Sequence, residues 1–280
     1  KDLEKKIKKY KPKVVMPVHM GGASYNFSNI KKLSKKYKFK IIEDAAHSFG
    51  GSYNSRYKIG SCKYSDITVF SFHPVKTVTT GEGGVITTNN YNIYLKLMRL
   101  RSHGINKLID KPVNLKNAFT KNKFNQWYYE MRELGYHYRI TDIQCALGIS
   151  QLQKLKKILR YKKQVFKRYD KAFEKNKNIS ILQRKKRNSS SFHLYLVKFD
   201  FKKIKKTRQS LLEYLEKNRI ITQVHYIPIF FHPFYEKNFN ANEFPNAINY
   251  YEGCLSLPCY YNYSKKDQDF VIKKIINFIS

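Results

Sequence analysis

"SDITVFSFHPVKTVTTGEGGVITT", residues 65–88, sets two apolar runs on either side of a lysine and a glycine-rich turn. Residues 66–72 and 84–88 read as strands, because short runs of Val, Ile, Phe and Thr bounded by turn residues are strand-like. Gly81, Gly83 and Gly84 of "TTGEGG" allow a tight turn into the second strand and read as scaffold, not as a phosphate loop. Upstream lie two more apolar runs, "KVVMPV" (13–18), followed by the loop "MGG", and "FKIIE" (39–43). Between them "SNIKKLSKKY" (28–37) reads as a helix, with Ser28 as its cap and Ile30 and Leu33 on one face. Short apolar strands separated by helices predict an α/β architecture with a mostly parallel sheet covered on both faces.

The remainder divides into a long helical pattern and a smaller mixed region. "NIYLKLMRLRSHG" (92–104) predicts a helix stopped by Gly104. Residues 138–176 predict a long helix that Thr141 could cap, with Ile143, Leu147, Leu152, Leu155 and Ile158 along one side. Further on, 192–200 and 221–230 read as strands, and 207–218 and 265–279 as helices, which together suggest a small α+β domain. The expected division is residues 1–150 for a large domain and 151–280 for a connecting helix with the small domain.

The 280 residues suffice for a real core. The formal net charge of +35 is extreme. Its lysines run through the whole chain beside abundant Tyr, Phe, Ile and Asn, which indicates a composition bias toward AT-rich codons. A nucleic-acid reader would concentrate its charge on one face. Cys62, Cys145, Cys254 and Cys259 form no CxxC pair and read as thiols in a reducing compartment. The eight histidines form no HExxH pair, and no metal site is expected. No apolar run is long enough to span a bilayer, and no signal peptide is visible. The opening "DLEKKIKKY", without an initial Met, reads as the end of a charged helix, so the chain is expected to be a fragment.

Two residues stand at special places. Asp44 follows the strand 39–43, and Lys76 follows the strand 66–72. In an open parallel sheet, ligands bind outside the carboxyl ends of the strands. Two readings stand at this point. One is an ion pair holding two loops. The other is a Schiff-base lysine with a carboxylate partner for the ring nitrogen of pyridoxal 5'-phosphate (PLP). The second needs a lysine amine kept unprotonated, and hence a lowered pKa.

"EDAAHSFG" (43–50), "FSFHPVK" (70–76), "TTGEGG", "RSHGI" (101–105), "ELGYHYRITDIQCALGISQL" (133–152), "TQVHYIPI" (222–229) and "CLSLPCY" (254–260) together resemble the DegT/DnrJ family of PLP-dependent sugar aminotransferases. The resemblance covers essentially the whole chain, with the motifs in the family's order. It implies PLP-dependent transferase fold type I, a large-domain sheet incomplete at its N-terminus, and a small C-terminal α+β domain. It implies that Lys76 holds PLP as an aldimine and acts as catalytic base, and that Asp44 pairs with the pyridinium nitrogen. His47 would lie near the ring and its 3-hydroxyl, and Ser71 would donate to the phosphate. His73 occupies a family-like position without an assigned role. His137 stands where the family usually has Asn, a residue that reaches the phosphate from the partner subunit. The family's phosphate-binding turn lies upstream of Lys1, so this chain is expected to form an incomplete PLP site.

The resemblance further implies a homodimeric, cytoplasmic enzyme that transfers an amino group from L-glutamate to a nucleotide-linked keto sugar for cell-surface polysaccharide. "QVHYIPI" with "FHPFY" (231–235) looks most like the branch acting on UDP-linked 4-keto-6-deoxy-N-acetylhexosamines, toward pseudaminic acid-type sugars. His225, Tyr226 and Tyr235 would contact the substrate. Packing of the small domain is the competing role for these three. Dehydratase relatives replace the catalytic lysine with histidine, so Lys76 argues for transamination. Two further readings are a non-catalytic PLP-binding regulator and a basic nucleic-acid-binding protein. No nucleic-acid or membrane partner is expected.

Overall fold

The computed structural model describes residues 1–23, 25–107, 109–181 and 190–280. These form two compact units. One comprises 1–18, 26–46 and 57–152, and the other 19–25, 47–56 and 153–280. Two short stretches that precede residue 150 therefore cluster with the second unit.

The first unit is built on a four-stranded sheet in the order β1-β2-β3-β4, with β1 at Val14–Val15, β2 at Lys40–Asp44, β3 at Ile67–Ser71 and β4 at Gly84–Thr87. β1, β2 and β3 are parallel, whereas β4 returns antiparallel to β3. No helical crossover separates β3 from β4, and a parallel pairing needs one. β1 is shorter than the apolar run 13–18. Pro17 has no N–H to give, so the ladder lapses there and resumes as a single bridge between Val18 and Asp44.

Helix α1, Asp2–Tyr10, carries Asp2 and Glu4 in its first turn and Lys8 and Lys9 in its last, which suits the helix dipole. Helix α2, Phe27–Tyr37, starts one residue before the expected stretch. Its cap is Asn26, whose side chain accepts from the Asn29 N–H at 3.4 Å, while Ser28 sits in the first turn and donates to Asn26. Ile7, Phe39 and Ile41 form the core beneath, with Leu3, Val15, Ile30, Leu33 and Tyr37 packed around them.

Helix α3, Tyr91–Leu100, is capped by Asn90 and ends short of Gly104. The chain turns at Arg101–His103, and the Gly104 N–H returns to the Arg99 carbonyl at 2.9 Å. The long helix Asp142–Phe173 lies inside the expected 138–176. Thr141 and Gln144 cap it reciprocally, Thr141 Oγ1 accepting from the Gln144 N–H and Gln144 Oε1 from the Thr141 N–H. Of its apolar side, Ile158 is buried, whereas Ile143, Leu147 and Leu152 are exposed.

The second unit holds a three-stranded antiparallel sheet, in the order Cys254–Leu257, Tyr195–Phe199, Ile179–Ile181. The helices Arg208–Lys217 and Lys265–Ile279 fall where the sequence predicts them. Thr207 and Ser264 cap them. Tyr169, Phe173, Tyr195, Leu211, Leu215, Leu255 and Ile275 are fully buried in its core. Each large apolar side chain so buried contributes about 1.5–3 kcal/mol.

The predicted strand at 221–230 does not form. Gln223 makes one bridge to Ser256, and Ile229–Phe231 is a 3₁₀ turn. Pro228 lacks an N–H for a ladder, and its carbonyl instead accepts from the Phe231 N–H. No helix among the described residues is long and apolar enough to cross a membrane.

Candidate active site

In the first unit, β2 and β3 are neighbours in parallel register, with Asp44 opposite Val69. Their carboxyl ends therefore share one edge of the sheet. Asp44 closes β2 and Ser71 closes β3. The Asp44 backbone is fixed on both sides, its N–H donating to the Pro17 carbonyl and the next N–H, of Ala45, to Val69. Its carboxylate accepts from the Ala46 N–H at 3.0 Å.

Lys76 lies on a loop that is tied back to the sheet. Phe72 donates to the Gly83 carbonyl, and its own carbonyl accepts from the Thr80 N–H and from Thr79 Oγ1. The Lys76 N–H donates to the His73 carbonyl at 2.9 Å. Thr77, Val78 and Thr80 beside it are buried. A side chain at Gly83, at φ 157°, would force Thr80 to shift, because a Cβ would fall 2.2 Å from Thr80 Oγ1. The long helix braces the loop from its first turn, Gln144 Nε2 donating to the Glu82 carbonyl at 3.0 Å.

The Lys76 amine is half-buried. Burial pulls its pKa below that of an ordinary lysine, and the charge of Asp44 opposes the shift without cancelling it. This is the electrostatic state an amine nucleophile or base needs. A plain surface ion pair would instead raise the lysine. The residues thus fit a carbonyl cofactor: a lysine of lowered basicity, with a carboxylate acting on it, at the carboxyl edge of parallel strands.

Ser71 Oγ accepts from the His73 N–H at 3.4 Å, and His73 Nε2 lies 3.8 Å from the Glu82 carboxylate. His137 is exposed, and its Nε2 accepts from Arg139 Nη2 at 2.9 Å, since a guanidinium can only donate. Arg139 also donates to Ser102 Oγ, and the His137 ring packs edge-on against His103.

In the second unit, His47 is buried while Tyr226 is 51% exposed. His47 Nε2 lies 3.2 Å from the Tyr226 hydroxyl, and Nδ1 accepts from the Gly21 N–H at 3.4 Å. His225 Nδ1 is 2.8 Å from Ser256 Oγ. Because Ser256 gives its proton to the Gln223 carbonyl, the His225 proton sits on Nδ1. Tyr235 is exposed among Phe234 and Phe239. The structure thus brings Asp44 to Lys76, and His47 to Tyr226. The sequence alone does not reveal the buried polar cluster behind His47, made of Gly21, Gly22, Ser190, Ser191, His193 and Lys162. The glycine pair of "MGG" is its one visible trace.

The sequence profile of the DegT/DnrJ/EryC1/StrS aminotransferase family matches residues 1–276. The chain belongs to this family. Within it, the chain is 39% identical over 254 residues to a UDP-4-amino-4,6-dideoxy-N-acetyl-beta-L-altrosamine transaminase of Campylobacter jejuni, covering 91% of this chain and 62% of that protein. Among solved structures it resembles PseC of Helicobacter pylori, an aminotransferase involved in the biosynthesis of pseudoaminic acid. That match has a TM-score of 0.85 and 28% identity, over 99% of this chain and 70% of the other. It also resembles the PLP-form of Spr1654 from Streptococcus pneumoniae, with a TM-score of 0.81 and 26% identity, over 95% and 68% of the two chains. The fold is that of the PLP-dependent transferases of fold type I. The chain spans about two thirds of the length of these DegT/DnrJ proteins.

Proposed function

We propose that the chain belongs to a PLP-dependent aminotransferase that moves an amino group from L-glutamate to a nucleotide-linked 4-keto-6-deoxy sugar. The observation that carries this reading is the state of Lys76, half-buried and lowered in pKa despite Asp44. Likeness to the Campylobacter and Helicobacter proteins supports a UDP-linked N-acetylhexosamine as the sugar, on a route to pseudaminic acid-type surface polysaccharide. A cytoplasmic location, where nucleotide sugars are made, completes the reading. Exposed apolar side chains on the first unit, Trp127, Leu134 and Ile143 among them, support a homodimer.

In this reading Lys76, Asp44, Ser71 and His47 hold the cofactor, with His137 of the partner subunit reaching in. When bound, PLP supplies a sink for the electron pair left as a proton leaves carbon. Lys76, whose basicity is lowered by desolvation, takes that proton and returns it. Asp44 keeps the proton on the ring nitrogen. Ser71 and the partner subunit's His137 orient the phosphate by hydrogen bonds. His225, Tyr226 and Tyr235 meet the sugar nucleotide.

The test uses the natural full-length protein loaded with PLP. Adding L-glutamate should convert the cofactor's visible absorbance to that of the pyridoxamine form. Lys76→Ala should not convert at a comparable rate. Equal conversion by that variant would refute the assignment of Lys76. Failure of every keto-sugar nucleotide to be aminated would refute the substrate class.

A further inference from the structure

His47 is buried, and Tyr226 reaches from it into solvent, with the two ring planes 23° apart. The Gly21 N–H can only donate, so His47 Nδ1 is the accepting nitrogen and the ring proton sits on Nε2. That proton points at the Tyr226 oxygen, 3.2 Å away. The hydrogen bond therefore has a direction: histidine donates and the phenol accepts.

The pivot is itself held from behind by chain distant in sequence. Ser191 Oγ donates to the His47 carbonyl at 2.5 Å, and Ser190 Oγ to the Gly22 carbonyl at 3.0 Å. The Ser191 and Leu194 N–H groups donate to Gly22 and Gly21. His193 packs its ring 4.6 Å from that of His47, while its carbonyl accepts from the buried Lys162 ammonium at 3.2 Å. Gly22 has no room for a side chain here, since a Cβ would stand 2.2 Å from Ser191 Oγ and 2.8 Å from the His47 carbonyl. A half-exposed tyrosine on a loop would ordinarily sample several rotamers, and ordering it costs side-chain entropy on binding. A bond to a buried ring held at its carbonyl, its Nδ1 and its face removes that freedom beforehand.

We propose that His47 is a positioning residue for Tyr226: locked as the Nε2–H tautomer, it presets the phenol that recognises the nucleotide sugar. This rests on the assignment of Tyr226 to the sugar nucleotide, whereas the tautomer lock stands on the geometry alone. It gives His47 a role in acceptor recognition as well as any contact with the cofactor.

The experiment has two arms, both on the full-length holoenzyme. In the first, ¹⁵N-detected imidazole spectra should show His47 with a bare Nδ1 and a protonated Nε2, and Tyr226→Phe should shift the Nε2 signal. A protonated Nδ1, or no response to Tyr226→Phe, overturns the lock. In the second, Tyr226→Phe, His47→Leu and the double variant are compared by KM for the nucleotide sugar. Each single change should raise KM about three- to tenfold, the worth of one neutral hydrogen bond. The double variant should be no worse than the worse single. His47→Gln, whose amide can accept from Gly21 and donate to Tyr226, should recover most of the loss. Additive effects, or a loss confined to the glutamate half-reaction, overturn the positioning role. Should His47→Leu fail to fold, Tyr226→Phe in the spectral arm and His47→Gln in the KM arm still decide. If the wild type aminates no sugar nucleotide, the proposed function falls, and the first arm alone judges the lock.

Discussion

The Asp44 carboxylate acts on the Lys76 amine from the end of the neighbouring strand, and burial of the lysine outweighs that attraction. The two effects have opposite signs, so they can be separated. Asp44→Asn removes the contribution that raises the lysine and leaves the desolvation that lowers it. The pKa of Lys76 should therefore fall further below its wild-type value, even though the variant loses the carboxylate that would serve the cofactor ring. The pH dependence of Lys76 acylation, followed by peptide mass spectrometry in the cofactor-free protein, measures this. A midpoint that moves upward in Asp44→Asn would contradict the electrostatic account.

Gly104 and Gly81 both hold left-handed backbone, at φ 72° and 78°, but their surroundings differ. A Cβ on Gly104 would stand 1.6 Å from the Glu133 carbonyl oxygen, whereas a Cβ on Gly81 meets nothing within 4 Å. Gly81→Ala should cost only the backbone penalty, about 1–2 kcal/mol. Gly104→Ala must also displace the main chain at Glu133 and should cost roughly 3 kcal/mol or more. Urea denaturation of the two variants checks the contrast. Equal losses would mean that conformation, not close approach, explains both glycines.

The positions of Asp44 and Lys76 were legible because each follows a short apolar strand, and strand ends in a parallel sheet gather ligands. Helices 207–218 and 265–279 were legible for a similarly local reason, a capping residue followed by a helical period. The stretch 221–230 misled because its apolar residues suggest a strand, while the missing N–H of Pro228 turns the chain away. Helix α3 misled because a glycine marks a stop without fixing how far the turn before it extends. The setting of His47 was legible only as the glycine pair of "MGG". Its partners come from Gly21, Ser191 and Tyr226, and no local period ties residues so far apart.

Lys162 tests what the polar cluster costs. It is 5% exposed, and burial lowers its pKa, with nearby Cys259 opposing. The folded protein thus binds this proton less tightly than the unfolded chain, whose lysine titrates near 10.5. Wild-type stability should rise as pH increases through the interval between the lowered value and 10.5, and the penalty should be fully present below it. Lys162→Met keeps the length and removes the charge. It also forfeits the bond to the His193 carbonyl, worth about 1 kcal/mol. Its stability relative to wild type should therefore be most favourable at neutral pH and decline toward pH 10.5. Denaturant melts at several pH values would show this slope, and a slope of the opposite sign would rule the account out.

Glu130 provides the complementary case at low pH. Burial alone would raise its carboxyl. Against that, Tyr128 donates to it at 2.7 Å, the Val113 and Asn114 N–H groups at 2.8 and 3.1 Å, and Arg132 Nε at 2.7 Å. These donors win and hold the pKa at about 2, against an ordinary 4.5. A carboxyl depressed on folding stabilises the native state above its unfolded value and loses that contribution as pH falls through the folded one. Glu130→Gln turns one accepting oxygen into a donor that faces other donors, so it should be less stable than wild type at neutral pH. The gap should close between about pH 4.5 and pH 2 as wild type takes up its proton. Thermal melts of both proteins across this window measure it. A gap that stays constant from pH 6 to the acid limit of folding would show that the loss is one of packing and not of the charged network.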